Sequence, residues 1–142
     1  MRLVQAIGLC DSGLRMAEAT SRTCTFRRDA RGFVHAVMKQ GCEMALADAR
    51  ENVAAIYDLA GGERSLVLVD TRGVRWQSRE ARDYFVSANA AEATTAVALI
   101  VGSPVSRMLG TFFLRFERHR FPTALFDDEE KAVRWLLEQA DD

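Results

Sequence analysis

Two short runs near the start of the chain alternate between hydrophobic and polar residues, as half-buried β-strands do. Within residues 21–27, Cys24 and Phe26 share one face. Residues 33–38 are apolar on both faces, so we expect that strand to be covered on both sides. The turn residues at 29–32 join the two runs into a predicted β-hairpin.

Helical and strand patterns then alternate. Residues 43–60 carry apolar residues at helical spacing, and Gly61 follows as a helix-ending glycine. Residues 65–70 form a short apolar run that is typical of a buried strand with helices packed on it. A loop over residues 71–77 leads to another predicted helix, which Ser78 caps.

The second half of the chain continues this alternation. Residues 95–101 predict another buried strand, and Ser103 and Pro104 are well suited to the N-cap and first position of the next helix. The apolar residues of that helix form one broad stripe: Val105, Met108, Leu109, Phe112, Phe113 and Phe116. A last strand is predicted over residues 121–126, followed by a helix capped by Asp127.

The predicted order β-β-α-β-α-β-α-β-α defines an α/β fold, with a parallel central sheet preceded by an antiparallel hairpin. A chain of 142 residues has room for one domain that needs neither disulfides nor a metal to fold. Because regular patterning begins at about Ser21, we expect an N-terminal extension over residues 1–20 and a single domain over residues 21–140. Translation from Met16 instead of Met1 is compatible with this pattern.

Composition and charge narrow the class of protein. With 49% hydrophobic and 27% charged residues, the chain is neither intrinsically disordered nor a disulfide scaffold. Its net charge of -1 provides no general attraction for nucleic acid or anionic membranes. No apolar run reaches the roughly 18 residues of a membrane span, and the N-terminus lacks the long apolar core of a secretory signal. We expect a cytoplasmic protein with no integral membrane association.

The residues that most often carry chemistry are few. Cys10, Cys24 and Cys42 include no C-x-x-C pair, and His35 and His119 lie far apart in the sequence. Cys24 and His35 are interpreted as structural. The chain contains no nucleophile elbow, phosphate loop or dinucleotide-binding glycine pattern. We therefore expect no catalytic centre, no metal site and no cofactor.

The first candidate binding segment is the loop after the first buried strand, because ligands of open α/β sheets gather at the carboxyl ends of strands. Its candidate residues are Arg72, Arg75, Trp76, Ser78 and Arg79. Arg and Trp are enriched among interface anchors, so the loop is predicted to dock a partner or bind an anion. In the alternative interpretation the loop is solvated, Trp76 packs inward and Ser78 caps a helix.

The second candidate segment is the start of the helix after residue 101, with Ser103, Ser106 and Arg107. The free N–H groups and dipole of a helix N-terminus can hold a phosphate or a carboxylate. Plain capping by Ser103 explains the same residues.

The phenylalanine-rich helix supplies a candidate oligomer face at Phe113 and Phe116, which lie at one margin of its apolar stripe. Exposed rings there would hold a homodimer or a higher homo-oligomer. The alternatives are a membrane-surface element, or cover by the last helix and the N-terminal extension of the same chain.

Several of these segments resemble the STAS domain, the fold of bacterial anti-sigma-factor antagonists. The strand and loop at residues 66–74 carry this resemblance. Residues 78–82, 102–110 and 121–126 resemble a subgroup of small bacterial STAS/SEC14-like proteins, most of them domains of unknown function. The resemblance covers about residues 21–140 and implies a mixed sheet with helices mainly on one face.

The resemblance also implies a role: a non-catalytic signalling or protein-interaction module that docks a bacterial regulatory protein. Anti-sigma-factor antagonists are phosphorylated on a hydroxyl at the start of the helix after the loop. Here Arg79 and Glu80 occupy the hydroxyl positions and Ser78 stands where the family has an acid, so the phosphoswitch does not carry over. The SEC14 side of the resemblance implies an alternative, a small anionic-ligand or lipid-binding protein.

Overall fold

The computed structural model of the chain describes residues 18–115 and 121–141. Its strands are β1 (Glu18–Thr20), β2 (Cys24–Arg28), β3 (Phe33–Met38), β4 (Cys42–Met44), β5 (Ser65–Asp70), β6 (Val74–Gln77), β7 (Thr94–Ile100) and β8 (Thr123–Phe126). Its helices are α1 (Leu46–Leu59), α2 (Arg79–Phe85), α3 (Ala88–Ala91), α4 (Pro104–Arg115) and α5 (Glu129–Glu138), followed by a 3-10 turn at Gln139–Asp141.

Six strands form the main sheet, in the order β1-β2-β3-β5-β7-β8. Strands β1, β2 and β3 are antiparallel, whereas β3, β5, β7 and β8 run parallel to one another. The β2–β3 hairpin pairs Cys24 with Met38 and Arg28 with Val34, which confirms the hairpin predicted from the alternating pattern. This mixed sheet confirms the predicted fold class.

Two further strands, β4 and β6, pair with each other in a small parallel ribbon. Residues 71–77, predicted to form a loop, contain strand β6, and the predicted helix start at residue 43 lies in strand β4, so both predictions are wrong. Strands of three or four residues are too short to establish a period of two, so their pairing partner decides their structure. Helix α1 instead begins at Leu46, where the Asp48 carboxylate accepts a hydrogen bond from the Ala45 amide at 2.9 Å.

The larger part of the core lies between one face of the main sheet and helices α1 and α2. It contains sheet, helix and ribbon residues that include Val34, Ala36, Val67, Ala55, Ile56, Leu59, Ala81, Met44 and Val74. The ribbon β4–β6 closes this layer at the carboxyl edge of β3 and β5. Helix α3 packs beside α1 through Ala90, and α4 contributes Val105 to the same side.

Helix α5 covers the opposite face, where Ala132, Val133 and Leu136 pack on β5 and β7. The described helices therefore lie mainly on one face of the sheet, as the resemblance implied. The carboxylate that caps α5 belongs to Asp128, which accepts from the Lys131 amide at 3.2 Å. The predicted cap at Asp127 is one residue too early.

Among the described residues, regular structure begins slightly earlier than the sequence pattern indicated. Strand β1, within the segment assigned to the extension, pairs with β2 and buries Ala19. A three-residue strand with one buried side chain leaves little periodicity to detect. Among the described helices, none is long and apolar enough to cross a membrane.

Candidate functional site

The two candidate loops meet at one edge of the main sheet, because β5 and β7 are parallel neighbours whose carboxyl ends lie together. Thr71 links them: its amide donates to the Ile100 carbonyl at 3.0 Å, and its hydroxyl to the same oxygen at 2.7 Å. The Arg72 side chain runs over Gly102, where a Cβ would lie only 2.9 Å from Arg72 Cδ. The fold thus brings both predicted segments into one region.

The first loop is held firmly by backbone contacts. The Gly41 amide donates to the Gly73 carbonyl at 2.7 Å, which joins the turn after β3 to the turn after β5. A side chain at Gly73 would bring a Cβ within 2.6 Å of the Met38 carbonyl oxygen, so only glycine allows this approach. Strand β6, which follows, is then fixed by its pairing with β4.

The Arg72 side chain forms an ion pair with Asp70, in the same loop. Its Nε and Nη2 donate to the two Asp70 carboxylate oxygens at 3.0 and 2.7 Å, and its amide donates to Oδ1 at 3.0 Å. Burial opposes ionisation of Asp70, but the hydrogen bonds and charge of Arg72 outweigh it and lower the pKa of the carboxyl. Arg75 is likewise paired, with Glu43 at 3.3 Å. These pairings leave the loop with less positive charge for an anion than its sequence indicated.

Trp76 is the exposed aromatic group of the loop. Its side chain is 52% exposed, although it lies on a paired strand between the buried residues Val74 and Gln77. The interpretation in which Trp76 packs inward is therefore wrong. Arg79, the first residue of α2, is also exposed.

Ser78 acts as a helix cap. It stands at the N-cap of α2, and its hydroxyl oxygen accepts from the Ala81 amide at 3.0 Å. This confirms the predicted capping role and identifies the partner of the hydroxyl.

In the second loop, the side-chain hydroxyl groups form hydrogen bonds with the backbone of the same loop. Ser106 is fully buried, and its Oγ accepts from the Gly102 and Ser103 amides at 2.9 Å each and donates to the Ser103 carbonyl at 3.1 Å. Ser103 Oγ accepts in turn from the Ser106 amide at 3.0 Å. Because Pro104 has no N–H, these bonds take up most of the donors that an anion would need. Arg107 is exposed beside this turn.

Helix α4 exposes an apolar residue that its sequence pattern predicts in the buried stripe. Met108 is 62% exposed. Helix α4 packs beside β6, the strand that carries Trp76. We name the exposed side chains of Arg75, Trp76 and Arg79 the Trp76 surface.

The remaining residues considered in the sequence either are buried in the fold or lie outside the described residues. Burial raises the pKa of the Cys24 thiol to about 12, so it stays protonated. Burial lowers the pKa of His35, whose Nδ1 lies 3.2 Å from Arg27 Nη2. Of the oligomer-face candidates, Phe116 lies outside the described residues, as does the side chain of Phe113. Residues 18–115 and 121–141 contain no group of histidine, cysteine and acidic side chains that could hold a metal.

Comparison with solved structures identifies the class of fold. An uncharacterised protein of the DUF3478 family from Shewanella loihica PV-4, described as having a SpoIIAA-like fold, matches with a TM-score of 0.54 and 11% sequence identity. The match covers 96% of this chain and 95% of that one. An identity this low shows the fold alone, and the fold is SpoIIAA-like, that is, STAS-like, as the resemblance implied.

The family follows from the sequence itself. Residues 27–140 match the family described as Domain of unknown function (DUF7793), and the chain belongs to this family. No curated protein matches the sequence.

Proposed function

We propose that the chain is a non-catalytic protein-interaction module of the signalling type that docks a bacterial regulatory protein through the Trp76 surface. The SpoIIAA-like fold supports this class of role. The observation that carries the proposal is the exposed indole of Trp76 on a strand whose backbone is fixed at both ends.

A rigid aromatic anchor suits protein docking. Trp and Arg dominate binding energies at interfaces, where a handful of residues carry most of the affinity. Because β6 is already ordered by β4 and by the Gly73 turn, docking on Trp76 costs little backbone entropy. Arg75 and Arg79 are exposed close to Trp76 in the chain and supply the polar groups that surround the apolar centre of an interface.

The alternative role, capture of a small anion or lipid at Ser103, Ser106 and Arg107, has less support. The Ser106 hydroxyl already accepts from two of the amides that such a ligand would use. Arg72, the nearest cation of the other loop, is held by Asp70.

The test compares two exposed aromatic residues. Tyr57, in the last turn of α1, is 40% exposed and lies at the end of that helix opposite the β4–β6 ribbon. The tagged full chain is used to capture proteins from a lysate of its own organism, and a captured protein is then purified and titrated against wild type, Trp76→Ala and Tyr57→Ala.

We expect Trp76→Ala to weaken the Kd by about thirtyfold or more and Tyr57→Ala to change it less than about threefold. Equal affinities for wild type and Trp76→Ala would refute docking at this surface. If native mass spectrometry instead shows a small anionic molecule that is lost in Arg107→Ala, the alternative role is favoured.

We also propose a homo-oligomer held by Phe113 and Phe116. This proposal rests on the width of the apolar stripe of α4 in the sequence. Light scattering at about 100 μM is expected to return twice the 15.8 kDa of one chain or more, and a monomer mass there would contradict it.

A further inference from the structure

His35 lies in the middle of β3, on the face of the main sheet on which α5 packs. Alternation along the strand places it on the same side as Phe33, which belongs to the core under α5. The strand register pairs His35 with Arg27 on β2, and pairs Arg27 in turn with Glu18 on β1. Because directly paired residues of antiparallel strands share a face, these three residues form one row across the sheet.

The contact between His35 and Arg27 defines which ring nitrogen carries the proton. Arg27 Nη2 lies 3.2 Å from His35 Nδ1. A guanidinium group only donates hydrogen bonds, so Nδ1 accepts and the proton of the neutral ring is on Nε2. His35 Nε2 is buried and has no hydrogen-bond partner in the described part of the chain. A second proton must therefore bind Nδ1, where its N–H would oppose the N–H groups of Arg27.

The surroundings of the ring oppose this second proton. Burial lowers the pKa of His35 below its ordinary value of 6.5, and the charge of Arg27 acts in the same direction. Among the described residues, three acids act the other way: Glu129 at the start of α5, Asp70 on β5 and Asp29 after β2.

Two of these acids already have cationic partners. Arg72 is paired with Asp70, and Arg31 is paired with Asp29 while its guanidinium lies 5.1 Å from the centre of the Phe33 ring. Glu129 has the strongest electrostatic effect of the three acids on His35. The neutral ring is therefore favoured near neutral pH, and the charged ring becomes accessible as the pH falls.

We propose that the contact between Arg27 and His35 is an acid-sensitive switch. The neutral ring holds the guanidinium, and a ring that takes up a proton from solvent at Nδ1 releases it. Two acids can receive Arg27: exposed Glu18, its direct partner on β1, and Asp29, whose Oδ2 lies 3.8 Å from Nη2. The Arg27 side chain is 43% exposed, so it has room to move. The switch does not depend on docking at the Trp76 surface, so either proposal can fail alone.

NMR on the full chain tests the switch. The only other histidine is His119, and comparison with His119→Gln assigns the ring signals of His35. At about pH 8, above the ordinary pKa of a histidine, nitrogen-15 spectra should show a proton on Nε2 and none on Nδ1. As the pH is lowered, His35 should titrate with a midpoint below 6.5. The Arg27 Nε signal should change with the same midpoint.

Two arginine variants localise the effect. Arg27→Met keeps an unbranched side chain but removes the charge and the donors, so His35 should bind its proton about three- to tenfold more tightly. Arg28→Met is the matched control. It removes the same charge from the next residue of β2, which is exposed on the other face of the sheet, and should change proton binding less than about twofold.

The proposal is overturned if the neutral ring carries its proton on Nδ1, or if the Arg27 signal does not follow the titration of His35. A wild-type midpoint at or above 6.5 would also overturn it, as would equal effects of Arg27→Met and Arg28→Met. The proton position and the two titrations need no substitution at His35 or Arg27, so they decide the matter even if Arg27→Met does not fold.

Discussion

At the carboxyl edge of the main sheet, the segment after β5, which contains strand β6, exposes the indole of Trp76, whereas the loop after β7 buries its Ser106 hydroxyl. Both loops carry arginine and serine, and Thr71 ties them to each other. In the segment after β5, Arg72 is hydrogen-bonded to Asp70 and the backbone is paired with β4. The side chain of Trp76 stays exposed, where a partner can contact it. In the second, fully buried Ser106 satisfies the backbone itself.

The difference shows that residue types alone do not make a loop available for binding. What matters is which hydrogen-bonding groups are already used within the loop. Substitutions in the second loop should therefore act on stability, and substitutions at Trp76 on binding.

The largest effect on stability is expected for Ser106→Ala. The substitution removes the Ser106 hydroxyl, which accepts from the Gly102 and Ser103 amides and donates to the Ser103 carbonyl. Both amides then lose their hydrogen-bond acceptor. We expect the free energy of unfolding to fall by about 3 kcal/mol, measured by urea denaturation. Ser103→Ala, which removes a helix cap, is the matched control at about 1 kcal/mol. If Ser106→Ala lowers the free energy of unfolding no more than Ser103→Ala does, the hydrogen bonds of the Ser106 hydroxyl do not stabilise the fold as we infer.

A smaller effect, dependent on pH, is expected for Asp70→Asn. Arg72 holds the folded-state pKa of Asp70 below its ordinary value of 3.8. The ionised carboxylate thus stabilises the fold above that value, and this stabilisation is lost as the pH falls through the lowered pKa. Because the Arg72 side chain is about half exposed, we expect a loss of about 1 kcal/mol at pH 7.

The stability difference between wild type and Asp70→Asn should shrink as the pH is lowered from 7 toward 2 in parallel urea titrations. A difference that stays constant with pH would contradict the assigned role of the Asp70–Arg72 pair.

The smallest effect on stability is expected for Trp76→Ala. An indole that is half exposed contributes little to the core, so the free energy of unfolding should change by less than about 1 kcal/mol. If Trp76→Ala stays folded in this way, its weaker binding relative to Tyr57→Ala is due to the lost indole and not to unfolding. A loss of several kcal/mol would place the indole in the core and break the contrast between the two loops.

Periodicity in the sequence was sufficient for the elements that bury several side chains. The hairpin, the buried strands β5 and β7 and helices α1 and α2 follow from spacing, whereas the break before α3 was not predicted. Strands β1, β4 and β6 were missed because each depends on a partner strand rather than on its own pattern. The cap at Asp128 was displaced to Asp127 because two adjacent aspartates fit the same pattern.

The candidate site was predictable as a region but not in its orientation. The rule that ligands gather at the carboxyl ends of parallel strands correctly brought Arg72 and the segment at residues 102–107 together. Whether Trp76 faces water depends on the register of β6 against β4, which no local pattern reveals.

The two tryptophans of the chain provide the most direct test of docking at the Trp76 surface. Trp135 lies on α5 at the opposite face of the sheet, where its ring centre is 5.8 Å from that of Phe126. Their indole N–H signals are recorded by NMR in the free chain and with a purified partner. We predict that the partner shifts or broadens the Trp76 signal and leaves the Trp135 signal unchanged. A shift of Trp135 alone, with Trp76 unaffected, would contradict docking at this surface.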